Sequence, residues 1–439
     1  MKAAQHFGTH RFPIVPHVLA VVCAIAATLG TARGQTEQVL YSFVPRTGMA
    51  PTASLILDAE GNLYGTASAG NQNSPNGSVF ELSPSVGGGW TETEILTFKH
   101  IQDGWNPSTP LVADAAGNFY TTTLQGGTSN TNCINGCGVV FELARTSGGG
   151  WAETVLYSFQ DTTDGSQPHG GLVLDANGNI YGTTYWGGNL SDCGGYGCGV
   201  VFKLSRSAGG WKETVLHTFT GGVDGAHPSA SLIFDASGNL YGTTYAGGNV
   251  SDCPSTVGCG VAFELSVSGI SWKENVLHTF SGQDGANPLA GLIFDTDGNL
   301  FGTTYSGGDL KACSSQGCGA VFELSRGNKA WKENLLYSFG GGQHGGNPAA
   351  NLIFDPSGNL YGTTLLGGNS KECENGCGTV FELSPAGSVW NEAVLHAFTA
   401  HGDGSLPSAG LILDHEGNLY GTTDQGGTAA DGAVFEVTR

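Results

Sequence analysis

The residues best suited to chemistry in this chain are acids and aromatics that recur at fixed spacing, and a few that break the recurrence. Seven copies of Asp-x-x-Gly-Asn-(Leu/Phe/Ile)-(Tyr/Phe) begin at Asp58, Asp114, Asp175, Asp235, Asp295, Asp355 and Asp414, spaced 56, 61, 60, 60, 60 and 59 residues apart. Acidic turns ligate calcium when several oxygens converge from alternate positions. Here the aspartate is the only acid present in every copy, and Gly-Asn suits a tight hairpin with positive φ. Turn capping is the expectation, with no cofactor required. A second acidic set lies in Asp-Gly-x-x-Pro segments, at Asp103, Asp164, Asp224, Asp284 and Asp403, with His344 and Thr47 in the same place elsewhere. A ring of carboxylates at one mouth of a closed fold could bind a cation such as calcium; the plainer reading is again a capped turn.

Residues that break the pattern are better site candidates, because a residue shared by all copies serves the unit. Tyr185, Tyr245 and Tyr305 follow Gly-Thr-Thr in three consecutive repeats, with Trp186 beside the first. Trp105 replaces a smaller residue in an Asp-Gly-x-x-Pro segment, His169 follows Pro168, and His227 precedes Pro228. Flat, amphipathic rings of this kind suit stacking on sugars. Asp424 occupies the tyrosine slot in the seventh repeat. Glycoside hydrolysis needs two carboxylates, one with a raised pKa; Asp424 with a ring aspartate such as Asp103 or Asp164 is the candidate pair. A lyase would use Tyr or His as base. The sequence holds no nucleophile elbow, HExxH or phosphate-cradling loop, and no metal site is assigned.

Ten cysteines form five local pairs, Cys133/Cys137, Cys193/Cys198, Cys253/Cys259, Cys313/Cys318 and Cys373/Cys377, at the same place in repeats two to six. The drift in spacing argues against a metal site, which would hold its spacing and recruit further ligands. Disulfides across a loop tolerate it. Each closes a very small loop worth only about 2 kcal/mol in the entropy model, so they are expected to stiffen loops more than they hold the fold.

The elements that must position these residues follow from the repeat. Its fourth copy reads as an apolar run (Ser231 to Asp235), a turn, a β-prone Leu240 to Thr244, a glycine-rich cysteine loop, a strand near Val261 to Leu265, and a mixed strand from Trp272 to Phe280. Four strands joined by tight turns in about 60 residues make an antiparallel meander. The fold class expected is all-β: a seven-bladed β-propeller of four-stranded antiparallel blades. The alternative, an open solenoid, would need caps. Instead, residues 35–43 are an isolated fourth strand and the last repeat stops after its third, so the N-terminal strand is expected to close the ring. Tryptophans 90, 151, 211, 272, 331 and 390 open the fourth strands, and Tyr41, Tyr157, His217, His278, Tyr337 and His396 alternate at a later place. Both sets read as rim packing.

These residues together resemble the bacterial GloVer (Gloeobacter/Verrucomicrobia-type) tandem repeat over about residues 38 to 439. The resemblance implies an exported or surface protein, often with a sorting tail or anchor after the repeats. This chain ends at Arg439, directly after its last strand. No shared catalytic residue carries over.

Residues 1–34 read as a secretory signal peptide, with Lys2 and Arg11, an apolar Val18 to Leu29, and small residues before Gln35; a retained anchor is the alternative. Residues 35–439 are then one domain, a monomer with no membrane span, secreted to the periplasm or outside. Losing Lys2, Arg11 and Arg33 and no acid takes the formal charge from −21 to −24, a surface that repels nucleic acid and anionic lipid. The function expected is non-catalytic recognition of a polysaccharide or other cell-envelope ligand on the loop face. A carbohydrate-active enzyme on that face, glycoside hydrolase or polysaccharide lyase, is the alternative, and a purely structural surface repeat the third reading.

Overall fold

Each repeat becomes a blade because its residues alternate between places that must be buried and places that need not be. The structure is a computed structural model, and it describes residues 35–44, 49–69, 76–251, 253, 255–269, 271–327 and 330–439. In the fourth blade, Ile233–Phe234, Leu240–Thr244, Val261–Ser268 and Ser271–Thr279 pair antiparallel in sequence order. The second strand is buried throughout, and the fourth alternates exposed with half-buried residues. That gradient places the second strand between neighbouring blades and the fourth at the outer edge. Among the described residues the strands make seven such four-stranded sheets and no α-helix. This is a seven-bladed β-propeller. The first strand is shorter than its apolar run suggested, with only two residues in the ladder.

The seventh sheet is completed from the other end of the chain. Thr36–Ser42 pairs antiparallel with Ala433–Thr438, and the Thr36 and Thr438 hydroxyls bond at 2.7 Å. Closure removes an exposed sheet edge. It also completes a belt of phenylalanines. At the end of each fourth strand a Phe ring meets, edge to face, a third-strand Phe of the next blade. Phe219 meets Phe263 at 5.3 Å and Phe280 meets Phe322 at 5.0 Å. Phe43 repeats the contact with Phe80 at 5.0 Å across the closure. These rings are fully buried, worth about 1.5–3 kcal/mol each in burial and about 0.5–1.5 more per pair. The second-strand glycine makes room for the belt. A Cβ on Gly242 would lie 2.8 Å from both Phe263 and Leu232.

The repeated aspartates are turn caps. Asp235 Oδ1 accepts the Ser237 and Asn239 N–H groups at 2.8 and 2.9 Å. Its Oδ2 accepts the Asn239 side-chain N–H at 2.8 Å and the Tyr241 hydroxyl at 3.3 Å. Burial opposes the charged form, but these hydrogen bonds outweigh it and hold the carboxyl below its ordinary value. Asp355 falls furthest, to about 2. Both oxygens of Asp235 are spent on hydrogen bonds to the residues just after it, as turn capping requires.

The second acidic set sits at the outer rim rather than around the channel mouth. Asp164 is buried and accepts from the Tyr157 hydroxyl at 3.0 Å, the Gln160 N–H at 3.0 Å and the Thr162 hydroxyl at 2.8 Å. His278 Nε2 lies 2.9 Å from Asp284, and His396 Nε2 lies 3.3 Å from Asp403. The Tyr/His alternation and the aspartates are thus two halves of one latch. A fourth-strand glutamate from the next blade faces each latch. Burial, and then Asp164, push Glu213 up to about 7. In Glu37, Glu92, Glu153, Glu213, Glu274, Glu333 and Glu392 the Oε1 atom is buried without a partner. A one-residue bulge in each fourth strand, at Leu277 in the fourth blade, sets this geometry.

The tryptophans pack between blades, with Trp272 against Tyr181 at 6.4 Å and Trp331 against Tyr241 at 6.3 Å. All five expected disulfides are present, with Cα–Cα distances of 5.2–5.5 Å. Their role differs from the expectation of loop stiffeners alone. The second cysteine of each pair, Cys137, Cys198, Cys259, Cys318 and Cys377, is 0% exposed. Each belongs to a hydrophobic cluster between blades: Cys137 with Phe159 and Phe202, Cys198 with Phe219 and Phe263, Cys259 with Phe280 and Phe322, Cys318 with Phe339 and Phe381, and Cys377 with Phe398 and Phe435. Those five sulfurs are therefore core atoms, packed as small hydrophobes, and no ligand reaches them. The bridges fasten the loops to the phenylalanine belt. The short loop each one closes hid this, because loop length measures entropy and says nothing about where the sulfur is buried. The signal-peptide expectation falls on residues 1–34, outside the described residues.

Candidate functional site

In a meander, the turns between the first and second strands lie on one face of the ring, and the cysteine loops and inter-blade inlets lie on the other. The axis between them is narrow. First-strand approaches close on it: Gly171 donates to Ser231 Oγ at 3.0 Å and Gly291 to Asn351 Oδ1 at 2.6 Å. The remaining cavity is about 90 Å³, lined in part by Ser54, Pro110, Ser231, Asn351, His169 and Ser408.

The three tyrosines stand on the loop face, half-buried. Their placement comes from a feature the sequence reading only touched. The residue before the inlet proline has a left-handed backbone in every blade: Ala50, Asn106, Gln167, His227, Asn287, Asn347 and Leu406 have φ between 51° and 61°. Asparagine and histidine tolerate that conformation better than most residues. From there His227 Nδ1 donates to the Tyr185 carbonyl at 3.0 Å, so that nitrogen carries the proton in the neutral ring. Asn287 and Asn347 Nδ2 donate to the Tyr245 and Tyr305 carbonyls, each at 2.9 Å. Each tyrosine is thus fixed by the polar residue of the next blade's inlet. Burial raises Tyr185 and Tyr305, and neighbouring Tyr245 adds to both shifts.

Around Tyr185 the predicted aromatics meet. His227 stacks on Tyr185 at 4.6 Å and 17°, Trp186 stands edge-on to His227 at 4.4 Å, and His169 lies 5.3 Å from Tyr185. Tyr196, which the sequence reading missed, extends this platform at 5.6 Å from Trp186 and is 55% exposed. His169 is crowded by protein at the channel mouth, and that desolvation lowers its pKa. The residue is nonetheless exposed at the axial cavity, which limits the loss of solvation. Trp105 stands apart: its backbone pairs with Gln125 in the second blade.

Around Tyr245 and Tyr305 the loops leave a groove of about 1040 Å³ across the fourth, fifth and sixth blades. Its walls include Gln316, Asn347, Asn369 and Asn375, and the Cys253 and Cys313 segments. The Cys313–Cys318 bridge packs beneath the inlet, where a Cβ on Gly341 would meet both sulfurs at 3.3 Å.

The acid candidates do not come together. Asp424 accepts from Ser408 Oγ at 2.7 Å, and burial pushes it up to about 6. Asp164 is spent on its rim latch, and Asp103 holds the same repeat place, where its charge helps raise Glu153. Among the described residues no group of three or more His, Cys, Asp or Glu side chains is placed to hold a metal ion.

One solved structure, at a TM-score of 0.50, supports the fold. The chain is similar to PorZ, a surface component of the type-IX secretion system of Porphyromonas gingivalis, at 14% identity and a TM-score of 0.50; the alignment covers 90% of this chain and 48% of PorZ, so this chain spans about half of that protein. It is also similar to a putative oxidoreductase (glucose dehydrogenase) of Thermus thermophilus, at 13% identity, TM-score 0.43 and coverage of 82% and 99%. A Lactobacillus plantarum protein matches at 12% identity, TM-score 0.45 and coverage of 80% and 85%. At 14% identity the likeness to PorZ is one of fold alone. None of the curated proteins matches the sequence. The Gloeobacter/Verrucomicrobia repeat matches residues 28–188, 129–310 and 251–439, a span that covers every blade, and the chain belongs to that repeat family.

Proposed function

We propose that this protein is a secreted, non-catalytic recognition module that binds a polysaccharide along its loop face. The observation that carries the reading is the groove beside Tyr245 and Tyr305, with the aromatic platform of Tyr185, Trp186 and His227 on the same face. Half-buried rings on a backbone fixed by hydrogen bonds lose little entropy on stacking against a sugar. Amides and hydroxyls beside them can both donate and accept, as sugar hydroxyls do. Export is supported by five disulfides, which persist in oxidising compartments. Among the described residues no helix is long and apolar enough to cross a membrane. Retention of purified residues 35–439 on a panel of insoluble plant and microbial polysaccharides tests the reading. One or more should retain the protein, and Tyr245→Ala with Tyr305→Ala should release it. Retention that survives both substitutions, or no retention at all, contradicts it.

One observation favours a second reading, catalysis on the same face. Asp424, raised to about 6 by burial, would serve as a general acid. Reducing-end release from the same panel, abolished in Asp424→Asn, would establish that reading over simple binding.

A further inference from the structure

We infer that the groove selects uncharged glycan chains and rejects uronate-bearing and other charged ones, an inference that rests on the recognition reading above. The chain carries 37 acidic and 16 basic residues. Yet among the described residues lining the groove none is charged. Charges are close at hand. Asp309 and Lys311 lie in the fifth blade's cysteine loop, and Lys371, Glu372 and Glu374 in the sixth's; all are exposed and outside the lining. The loops that build the groove therefore place their charges elsewhere and present it with Ser306, Ser314, Ser370, Gln316, Asn369 and Asn375.

That lining has consequences for each ligand charge. A uronate carboxylate entering the groove would lose water without gaining an arginine or lysine, the groups that replace hydration around an oxyanion. It would also approach a protein of strongly negative net charge, a repulsion screened by salt but not removed at short range. An amino sugar would feel a long-range attraction, but no carboxylate lines the groove to pair with it. A neutral sugar loses nothing by comparison. Its hydroxyls find amides and hydroxyls of both polarities, and its apolar ring face finds Tyr245 and Tyr305.

Two of the polar groups are committed to building the groove. Asn287 Nδ2 holds the Tyr245 carbonyl and its Oδ1 accepts from Ser306 Oγ at 2.8 Å. Asn347 Nδ2 holds Tyr305. The groove volume of about 1040 Å³ stands at the upper end of the roughly 300–1,000 Å³ typical of small-molecule sites, so it suits a run of several sugar units.

Calorimetric titration of residues 35–439 tests the inference with three soluble polymers of matched length: a neutral glucan or mannan, a polyuronate and chitosan, each at low and high salt. The expected result is binding of the neutral polymer at both salts, with at least a tenfold loss in Tyr245→Ala. Chitosan should show only salt-sensitive association, and the polyuronate none. Gln316→Lys, an exposed site that puts one positive charge in the groove, should gain at least about tenfold for the polyuronate. Equal or tighter binding of polyuronate by the unmodified protein, lost in Tyr245→Ala, would overturn the selectivity while leaving glycan recognition standing. Failure of every polymer to bind would overturn the recognition reading and this inference with it.

Discussion

The two faces of this ring are made from the same repeat and treat it oppositely. On the turn face seven aspartates cap seven hairpins by one pattern, which varies where Phe301 replaces the tyrosine that donates to Oδ2 elsewhere and where Arg439 adds a donor to Asp355. On the loop face the tyrosine slot holds Tyr185, Tyr245 and Tyr305 in three blades, Leu124 and Leu365 in others, and Asp424 in the last. At the inlets the backbone is as uniform as on the turn face, since all seven pre-proline residues share one left-handed conformation. What varies at these slots is the side chain that the frame presents, while the cysteine loops beside them also differ in length. The lesson is that a rigid, repeated backbone lets side-chain differences be read as differences in ligand chemistry.

The largest effects should come from breaking the frame. Phe43→Ala removes one ring of the closing pair with Phe80 and should cost about 3–5 kcal/mol, read as a fall in the denaturation midpoint together with loss of any ligand binding. A midpoint within error of the parent's would show that the closure contributes nothing. On the turn face, Asp235→Ala strips an acceptor of four hydrogen bonds. About 2–3 kcal/mol is expected from charged hydrogen bonds of this kind, with binding intact in the protein that remains folded. On the loop face, Tyr245→Ala should move stability by less than about 1 kcal/mol, as surface changes usually do, while weakening polysaccharide binding at least tenfold. The contrast between the last two variants is the sharp form of the comparison; it is broken if Asp235→Ala weakens ligand affinity or if Tyr245→Ala unfolds the chain.

The smallest effect expected is that of pH, and it separates turn face from rim. Burial raises Glu92, Glu153, Glu213 and Glu333 to about 7, above the ordinary 4.5. Their contribution to stability is complete below about pH 4.5 and is lost as pH rises through 7. The turn aspartates are held below 3.8, so theirs is present above that value and lost only in stronger acid, near pH 2 for Asp355. The melting temperature should therefore be a few degrees higher at pH 5 than at pH 8, and Glu213→Gln with Glu333→Gln should flatten the difference. A melting temperature that falls between pH 8 and pH 5 contradicts this account of the rim.

Much of the frame was legible because it is written in residues that repeat. Asp-x-x-Gly-Asn announces a turn by its chemistry, the spare strand at residues 35–43 announces closure, and paired cysteines on one loop announce disulfides. That Cys137, Cys198, Cys259, Cys318 and Cys377 reach the core was not announced, because a glycine-rich loop carries no apolar periodicity to mark an inward-facing side chain. The bulge at Leu277 left no mark, since an extra apolar residue in a mixed strand looks like ordinary alternation. The place of the second acidic set was misjudged for the same reason: the bulge turns His278 toward Asp284 and fixes both at the rim. Tyr185, Tyr245 and His227 were found as departures from a pattern. Asn287, Asn347 and Tyr196 were not. An asparagine before proline looks like turn chemistry, and only the fold brings its amide to a tyrosine carbonyl forty-two residues away.

The most direct test of the account is native affinity electrophoresis through gels cast with a neutral polysaccharide, run on the parent protein and on the Tyr245→Ala, Tyr305→Ala double variant after both are shown to melt together. The account predicts that the parent is retarded and the double variant runs as in a plain gel. Equal retardation of the two, or no retardation of the parent in any neutral polysaccharide, would contradict it.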